Sequence, residues 1–364
     1  TLAQFLKGWK GKGQGPDLEM KGLMAFLEDL RTVNRAFCNR LYAVCRKDAS
    51  LNARIIGLAY DAMEPGIYMD WVVDRSFIMP YPSGDGGAYF DRLAYIREQH
   101  GLDVIIPNFD AELPLYVKRA SDLKALGIAT FLPSMEQFKL RGKDKLAEVA
   151  ERMDIKLPKT KVCTSLDQLI SAVEELGLPV MVKGSFYKAY AAYTSTQAVS
   201  HFHALVAEWG YPVIVQSIVS GEELNVIGVG DGEGGSLGTV GIKKISVTAL
   251  GKIWTGVTIK HRAMLEAANR FIRELKWRGP FELECIVKGD DVFLIEINPR
   301  FPAWVYFATG VGVNLPARLV RAALGVDQPP APDYEAGKLF VRYSYELVTD
   351  MVKFQQAVTR GEVG

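Results

Sequence analysis

Histidine and cysteine are scarce in this chain, four of each in 364 residues. Cys38, Cys45, Cys163 and Cys285 form no CxxC pair. That excludes a disulfide framework and a cysteine zinc site, and reads as the reduced thiols of a cytosolic protein. Charge of one sign is also missing: Lys+Arg 43 against Asp+Glu 42 leaves a net +1. No basic field is available to hold a nucleic acid or an anionic membrane non-specifically. No apolar run approaches the ~18 residues that cross a bilayer. The first fifteen residues are polar and rich in lysine and glycine, without the apolar stretch of a secretory leader. What the chain does have is 49% apolar and 23% charged residues. That composition supports a sizeable core and excludes a disordered or fibrous protein. At roughly 100–200 residues per domain, two or three domains are expected. The default expectation is a soluble cytoplasmic enzyme.

The texture changes along the chain. Residues 1–50 form an atypical extension in which Leu23, Phe26, Leu27, Leu30, Val33, Phe37 and Leu41 predict an amphipathic helix over 17–46. From Ala53 the pattern is α/β. Strands are expected at 53–60, 102–106 and 129–132, and helices at 89–99 and 115–126, as in an open parallel sheet. Ligands of such sheets lie beyond the carboxyl ends of the strands. Asp110 and Glu112, just after Pro107, are therefore candidates for recognising a substrate cation. Further helices are expected at 143–153, 166–176, 257–276 and 315–324. Further strands are expected at 180–183, 213–216, 225–229, 281–287, 292–297 and from 338.

The most informative stretch is Phe281–Arg300. Side chains two apart on a strand share a face. A hairpin turning about Asp290 sets Glu284 opposite Glu296 and Glu282 opposite Asn298. The expected apolar face of the second strand is Phe293, Ile295 and Ile297, which opposes a one-residue slip. Like charges facing each other destabilise a sheet. A divalent cation removes that conflict, and carboxylate plus carboxamide oxygens suit Mg²⁺.

Phe281-Glu282-Leu283-Glu284, followed by Phe293-Leu294-Ile295-Glu296-Ile297-Asn298-Pro299-Arg300, resembles the metal-binding hairpin of the ATP-grasp superfamily. The spacing of twelve from Glu284 to Glu296 looks like that of the carbamoyl-phosphate synthetase and biotin carboxylase branch. The resemblance covers about 53–326. It implies an α/β fold in which an open parallel sheet domain (51–135) precedes a two-subdomain ATP-grasp module. The lid would be 136–212, the metal- and ATP-binding part 213–326, and a linker and C-terminal segment 327–364. It further implies Lys145 and Lys183 as nucleotide lysines, with Ser185 in the phosphate flap. Gln216, Ser217, Ile218 and Val219 would meet adenine and Glu223 the ribose. Glu284, Glu296 and Asn298 would be metal ligands, and Arg300 a clamp for the transferred phosphoryl group, with Lys183 beside it in catalysis. The cofactors implied are ATP and Mg²⁺, with Mn²⁺ as a substitute. The implied reaction activates a small carboxylate as an acyl-phosphate, which an amine such as an amino acid or peptide then attacks. Carboxylation of the bicarbonate type and a non-catalytic nucleotide-binding regulator are the alternatives. A homo-oligomer is compatible with all of these.

Three features depart from that pattern. The flap Lys183–Tyr190 contains one glycine and three aromatics, where backbone N–H groups would ordinarily close over phosphate. Gln216 stands where an acidic residue is common. Gly11-Lys12-Gly13-Gln14-Gly15 follows no strand and is no substitute for a glycine turn. Of the remaining candidates, His201 and His203 belong to a helix surface. Lys243, Lys244 and Lys252 form a basic segment near the cleft, with the inward-facing lysine unassigned.

Overall fold

The computed structural model describes residues 51–364 except 83–85, 144, 185–187, 249–252 and 343–345. The helix expected over 17–46, Ser185, Tyr187 and Lys252 lie outside the described residues. In chain order the strands are β1 (Ile56–Ala59), β2 (Arg75–Ile78), β3 (Thr160–Cys163), β4 (Val180–Lys183) and β5 (Ala189–Ala192). There follow β6 (Val213–Ser217), β7 (Glu222–Asp231), β8 (Ser236–Val247) and β9 (Ile253–Ile259). The last four are β10 (Arg278–Lys288), β11 (Asp291–Asn298), β12 (Leu339–Val341) and β13 (Glu362–Val363). They build three sheets, ordered β1-β2-β13, β3-β6-β4-β5 and β11-β10-β7-β8-β9-β12.

In the first sheet β1 and β2 are parallel, as expected, but the third strand, β13, is antiparallel and comes from the far end of the chain. The expected strands at 102–106 and 129–132 meet only through the bridge Val104–Ala129. Two hydrogen bonds, Ile105 N–H to the Ala129 carbonyl and Ala129 N–H to that of Asp103, account for their contact. The C-terminal segment is held by apolar packing of Ala357 and Val363 on Ala59, Ile67 and Tyr68. Arg92 also donates to the Gly361 carbonyl at 2.7 Å.

The second sheet is covered by the helices Leu166–Leu176 and Ser195–Trp209. Ser165 and Thr194 cap them by accepting from Gln168 and Gln197 N–H groups. The large sheet is antiparallel throughout and has apolar residues on both faces. One face holds Phe281, Leu283, Cys285 and Val287 against the helix Arg262–Leu275. That helix begins later than its periodicity suggests. Residues 257–259 belong to β9, paired to β8, and His261 caps the helix by accepting from Met264 N–H. The other face packs Ile227, Val229, Val240 and Ile242 under Phe301, Trp304 and Leu315.

Candidate active site

The expected hairpin forms at the edge of the large sheet. Glu284 pairs with Glu296 and Glu282 with Asn298. The tip turns differently, through Gly289-Asp290 with Lys288 opposite Asp291, and a bulge after Glu284 restores the register. Gly289 sits at φ 61°, the left-handed conformation such a turn needs. The bulge exchanges the expected apolar face on the turn side of Glu296, while Ile297 stays buried. Val292, Leu294 and Ile297 are the buried apolar residues of β11, whereas Phe293 and Ile295 are only half-buried. Two residues on a bulged strand oppose one on its partner, so Ile295 reaches the cleft directly before Glu296.

Next to β10 lies β7, where Asn225 pairs with Glu284 and Ile227 with Glu282. Glu296, Glu284 and Asn225 thus stand in one row, and Asn298, Glu282 and Ile227 in the next. Glu282 is buried and saturated with donors. Asn225 Nδ2 and Trp304 Nε1 bond its Oε1 at 2.9 and 2.8 Å, and Asn298 Nδ2 bonds its Oε2 at 3.2 Å. Burial and the charge of Glu284 push its carboxyl pKa up to about 7. Its role is to hold Asn298, whose Nδ2 also donates to Glu284 Oε1 at 3.2 Å. Glu296 keeps surface open to the cleft but is packed deeply enough that burial and Glu284 raise its pKa, against Lys143 and Arg300.

Arg300 forms a two-pronged pair with Asp110, Nε to Oδ1 at 3.1 Å and Nη2 to Oδ2 at 2.9 Å. Arg141 approaches the same carboxylate at 3.6 Å. Asp110 therefore faces the hairpin as expected, but its partners are arginines of the protein. Glu112 turns the other way. It accepts from the N–H groups of Asn108 and Phe109 at 2.9 and 3.1 Å and from the Tyr60 hydroxyl at 2.6 Å. It is 4% exposed and stabilises the loop after Pro107. The sequence reading that both carboxylates receive a substrate cation is overturned by these contacts.

Across the hairpin, Lys183 ends β4. Its Nζ donates to Gln216 Oε1 at 2.6 Å, and Gln216 Nε2 donates to Thr160 Oγ1 at 2.9 Å. Gln216 thus works through its side chain, which an uncharged amide permits and sequence spacing does not reveal. Burial, then the neighbouring Lys143, lower the Lys183 pKa to about 8, against the pull of Glu296 and Glu284. Lys143 donates to the Gly184 carbonyl and feels Glu296. Lys145, the lysine singled out by resemblance, is half exposed and pairs with Glu148 at 3.8 Å. Of the two, Lys143 is the one turned to the cleft. The motif Gly142-Lys143-Asp144-Lys145 carries both, and only the turn before the helix Leu146–Arg152 separates their directions.

Lys183, Gln216, Ser217, Ile218, Val219, Glu223 and Glu284 all line one cleft of about 250 Å³. Met181, Ile286 and Ile295 add apolar walls. That combination suits a planar ring with a polar edge. The Ser217 N–H is already bonded to the Lys159 carbonyl, so the edge contacts fall to its neighbours. Of the basic segment, Lys244 faces inward, with a side chain 9% exposed, while Lys243 pairs with Glu222 at the rim. Tyr190 stacks on His201 at 4.8 Å and Lys188 pairs with Glu208 at 2.7 Å, which ties β5 to the helix Ser195–Trp209.

Among the described residues no group of three or more His, Cys, Asp or Glu gathers as a metal cage. The hairpin offers two carboxylates and one carboxamide on adjacent strands, a donor set that fits Mg²⁺ completed by water and phosphate oxygens. No helix of the described residues is long and apolar enough to cross a membrane.

Comparison with known proteins places this geometry. The family model for "ATP-grasp in the biosynthetic pathway with Ter operon" matches residues 212–344, which include Gln216 and the whole hairpin. The arginine-specific carbamoyl phosphate synthase large chain of Bacillus subtilis is 21% identical over 275 residues, 71% of this chain and 26% of that protein. The carbamoyl phosphate synthase large chain of Thermotoga neapolitana is 22% identical over 250 residues, 65% of this chain and 22% of that protein. The chain therefore spans about a quarter of the length of these relatives. The biotin carboxylase domain of Hydrogenobacter thermophilus 2-oxoglutarate carboxylase, solved with MgADP and bicarbonate, superposes with a TM-score of 0.66 at 15% identity. That match covers 84% of this chain and 71% of that one. N5-carboxyaminoimidazole ribonucleotide synthetase from Thermus thermophilus gives 0.62 at 16%, covering 84% and 80%. The sheet order, the paired carboxylates and the match over 212–344 agree: the fold is that of the ATP-grasp proteins, and residues 212–344 match a model of that family.

Proposed function

We propose that the protein is a Mg-ATP-dependent ligase that activates a small carboxylate as an acyl-phosphate for attack by an amine. The observation that carries this reading is the row Glu284–Glu296 with Asn298 beside it, facing Lys183 across a cleft of nucleotide size. Adenine would lie against Met181, Ile286 and Ile295 near Gln216–Val219, and the ribose hydroxyls at Glu223. The phosphate tail would run past Lys183 and Lys143, with Ser185 of the flap as a further contact and Lys145 behind Lys143. Glu284, Glu296 and Asn298 would hold Mg²⁺, which when bound would neutralise charge developing in phosphoryl transfer. Arg300, aimed by Asp110, would clamp the transferred phosphoryl group and the acyl-phosphate oxygens. Positioning and neutralisation suffice, so no covalent enzyme nucleophile is required. We read 51–135 as the preceding domain, 136–212 as the lid and 213–326 as the metal-bearing part.

Bicarbonate-type chemistry is the second reading, and one observation favours it. Asp110 is matched by Arg300 and Arg141, so this corner of the cleft suits an anion better than an ammonium group. Small-molecule substrates are common to both readings, and the amine is the finer proposal. ADP release with panels of carboxylates, with and without amines, and with bicarbonate alone decides between them. Release driven by bicarbonate alone as strongly as by any carboxylate and amine pair would overturn the ligase reading. No release with any of them would overturn both.

A further inference from the structure

The large sheet carries a lysine among its metal-binding carboxylates. Lys244 lies on β8, two strands from the hairpin, with β7 between. Its side chain extends over β7 and is 9% exposed. Nζ donates to Glu223, and to Glu284 Oε2 at 3.2 Å. These are the carboxylates read above as the ribose and metal contacts. Glu282, one row further, adds to the negative surroundings of the same ammonium, and together the three outweigh its burial and raise its pKa. Lys243, its neighbour, is 40% exposed at the rim, so the inward position belongs to Lys244 alone of the pair.

A buried ammonium persists only where anions compensate its lost hydration. The converse holds for Glu284, which faces Glu296 and would repel it without a cation. Lys244 thus satisfies the charge requirement that a metal would otherwise satisfy. A divalent cation arriving alone at Glu284 would meet an ammonium already at one of its two oxygens, and like charges at such distances in a partly dry cleft repel strongly. A metal arriving with a polyphosphate brings anionic oxygens that can take over Nζ.

Resting on the reading of this cleft as a Mg-nucleotide site, we propose that Lys244 is a positioning residue that stands in for the metal, so that Mg²⁺ binds only together with a polyphosphate. The device suppresses loading by free metal and couples metal entry to nucleotide entry. Chemically it is an exchange of partners: Glu284 passes from ammonium to metal, and Nζ passes from carboxylate to phosphate oxygen. No covalent step is involved.

The test measures binding to nucleotide-free protein by calorimetry and thermal shift, not activity. Mg²⁺ alone should bind the wild type weakly, and Mg²⁺ with inorganic tripolyphosphate should bind it well. Lys244→Met should bind Mg²⁺ alone about tenfold or more tighter than the wild type, whereas Lys244→Arg should behave like the wild type. Equal binding of Mg²⁺ alone to the wild type and Lys244→Met overturns the inference. So does wild-type binding of Mg²⁺ alone as tight as with tripolyphosphate, and this second arm still decides if Lys244→Met does not fold. In either case MgATP binding can persist, leaving the nucleotide-site reading intact. Absence of any binding to the wild type, MgATP included, overturns both.

Discussion

The two walls of the cleft are built to different standards. On the large sheet most of the charged groups of the site have fixed partners. Glu282 holds Asn225, Trp304 and Asn298; Arg300 is locked to Asp110; Glu284 is met by Asn298 and Lys244. Opposite it, Lys183 at the end of β4 donates to a neutral amide, and Lys143, in the turn before the helix Leu146–Arg152, donates to a backbone carbonyl. A network in which each member fixes the next rigidifies a site, whereas single contacts leave a lysine free to follow its ligand. The proposed metal side is therefore preformed, and the proposed phosphate side adapts.

That comparison can be broken by substitution, beginning with the largest effect. Glu296→Gln should lower kcat/KM for ATP-dependent turnover by about a thousandfold. The thermal midpoint without ligand should hold or rise, because the repulsion with Glu284 is relieved. Turnover near wild type would remove Glu296 from the metal site. Asp110→Ala should come next. It leaves the buried Arg300 guanidinium without its two-pronged partner, at a cost of about 3–5 kcal/mol in denaturant unfolding. The loss should show in kcat more than in the KM for ATP, and a change confined to an amine KM would restore the substrate-cation role. Trp304→Phe, which removes one donor from buried Glu282, should cost about 1–3 kcal/mol. Its effect should appear in both stability and Mg-dependent nucleotide binding, since Glu282, which holds Asn298, loses one of its three donors.

Smaller effects belong to the lid side. Gln216→Leu should raise the KM for ATP by about tenfold, with stability nearly unchanged. An effect as severe on stability as Trp304→Phe would contradict the contrast between the walls. Lys183 supplies the pH test. Its pKa, lowered to about 8, means that the free protein loses this positive charge as pH rises through about 8. MgATP affinity should therefore fall several-fold between pH 7 and 9, followed by calorimetry. Stability of the free protein should move oppositely. The unfolded chain still holds this proton between about 8 and the ordinary lysine range, so the cost of burying the charge fades as pH rises there. A flat affinity profile would show that the phosphates do not depend on Lys183.

Much of the hairpin was legible beforehand because strand periodicity is local. Alternation within twenty residues sets which side chains share a face, so the opposition of Glu284 to Glu296 followed from spacing. The bulge was not legible. It depends on the two-residue turn at Gly289-Asp290 and on packing of Val292 and Leu294, which moved Ile295 to the cleft and left only Ile297 of the expected apolar face buried. The choice between Lys143 and Lys145 was hidden for a similar reason. Two residues apart in a turn before a helix, they differ in direction by an amount that only the folded turn specifies.

The amino-acid sequence by itself determined the α/β class, the carboxylate pairing and the resemblance to the ATP-grasp proteins, since these rest on short-range patterns and turn chemistry. Tertiary structure alone decided what those residues touch. It set Asp110 against Arg300 across 190 positions, turned Glu112 inward onto Tyr60, and carried Lys244 over a strand to Glu284. It also returned the chain's last strand, β13, to the first sheet. The physical reason is that a charge is priced by its surroundings: a carboxylate in sequence is only a candidate, and the burial and partners assembled from distant segments determine which cation it holds.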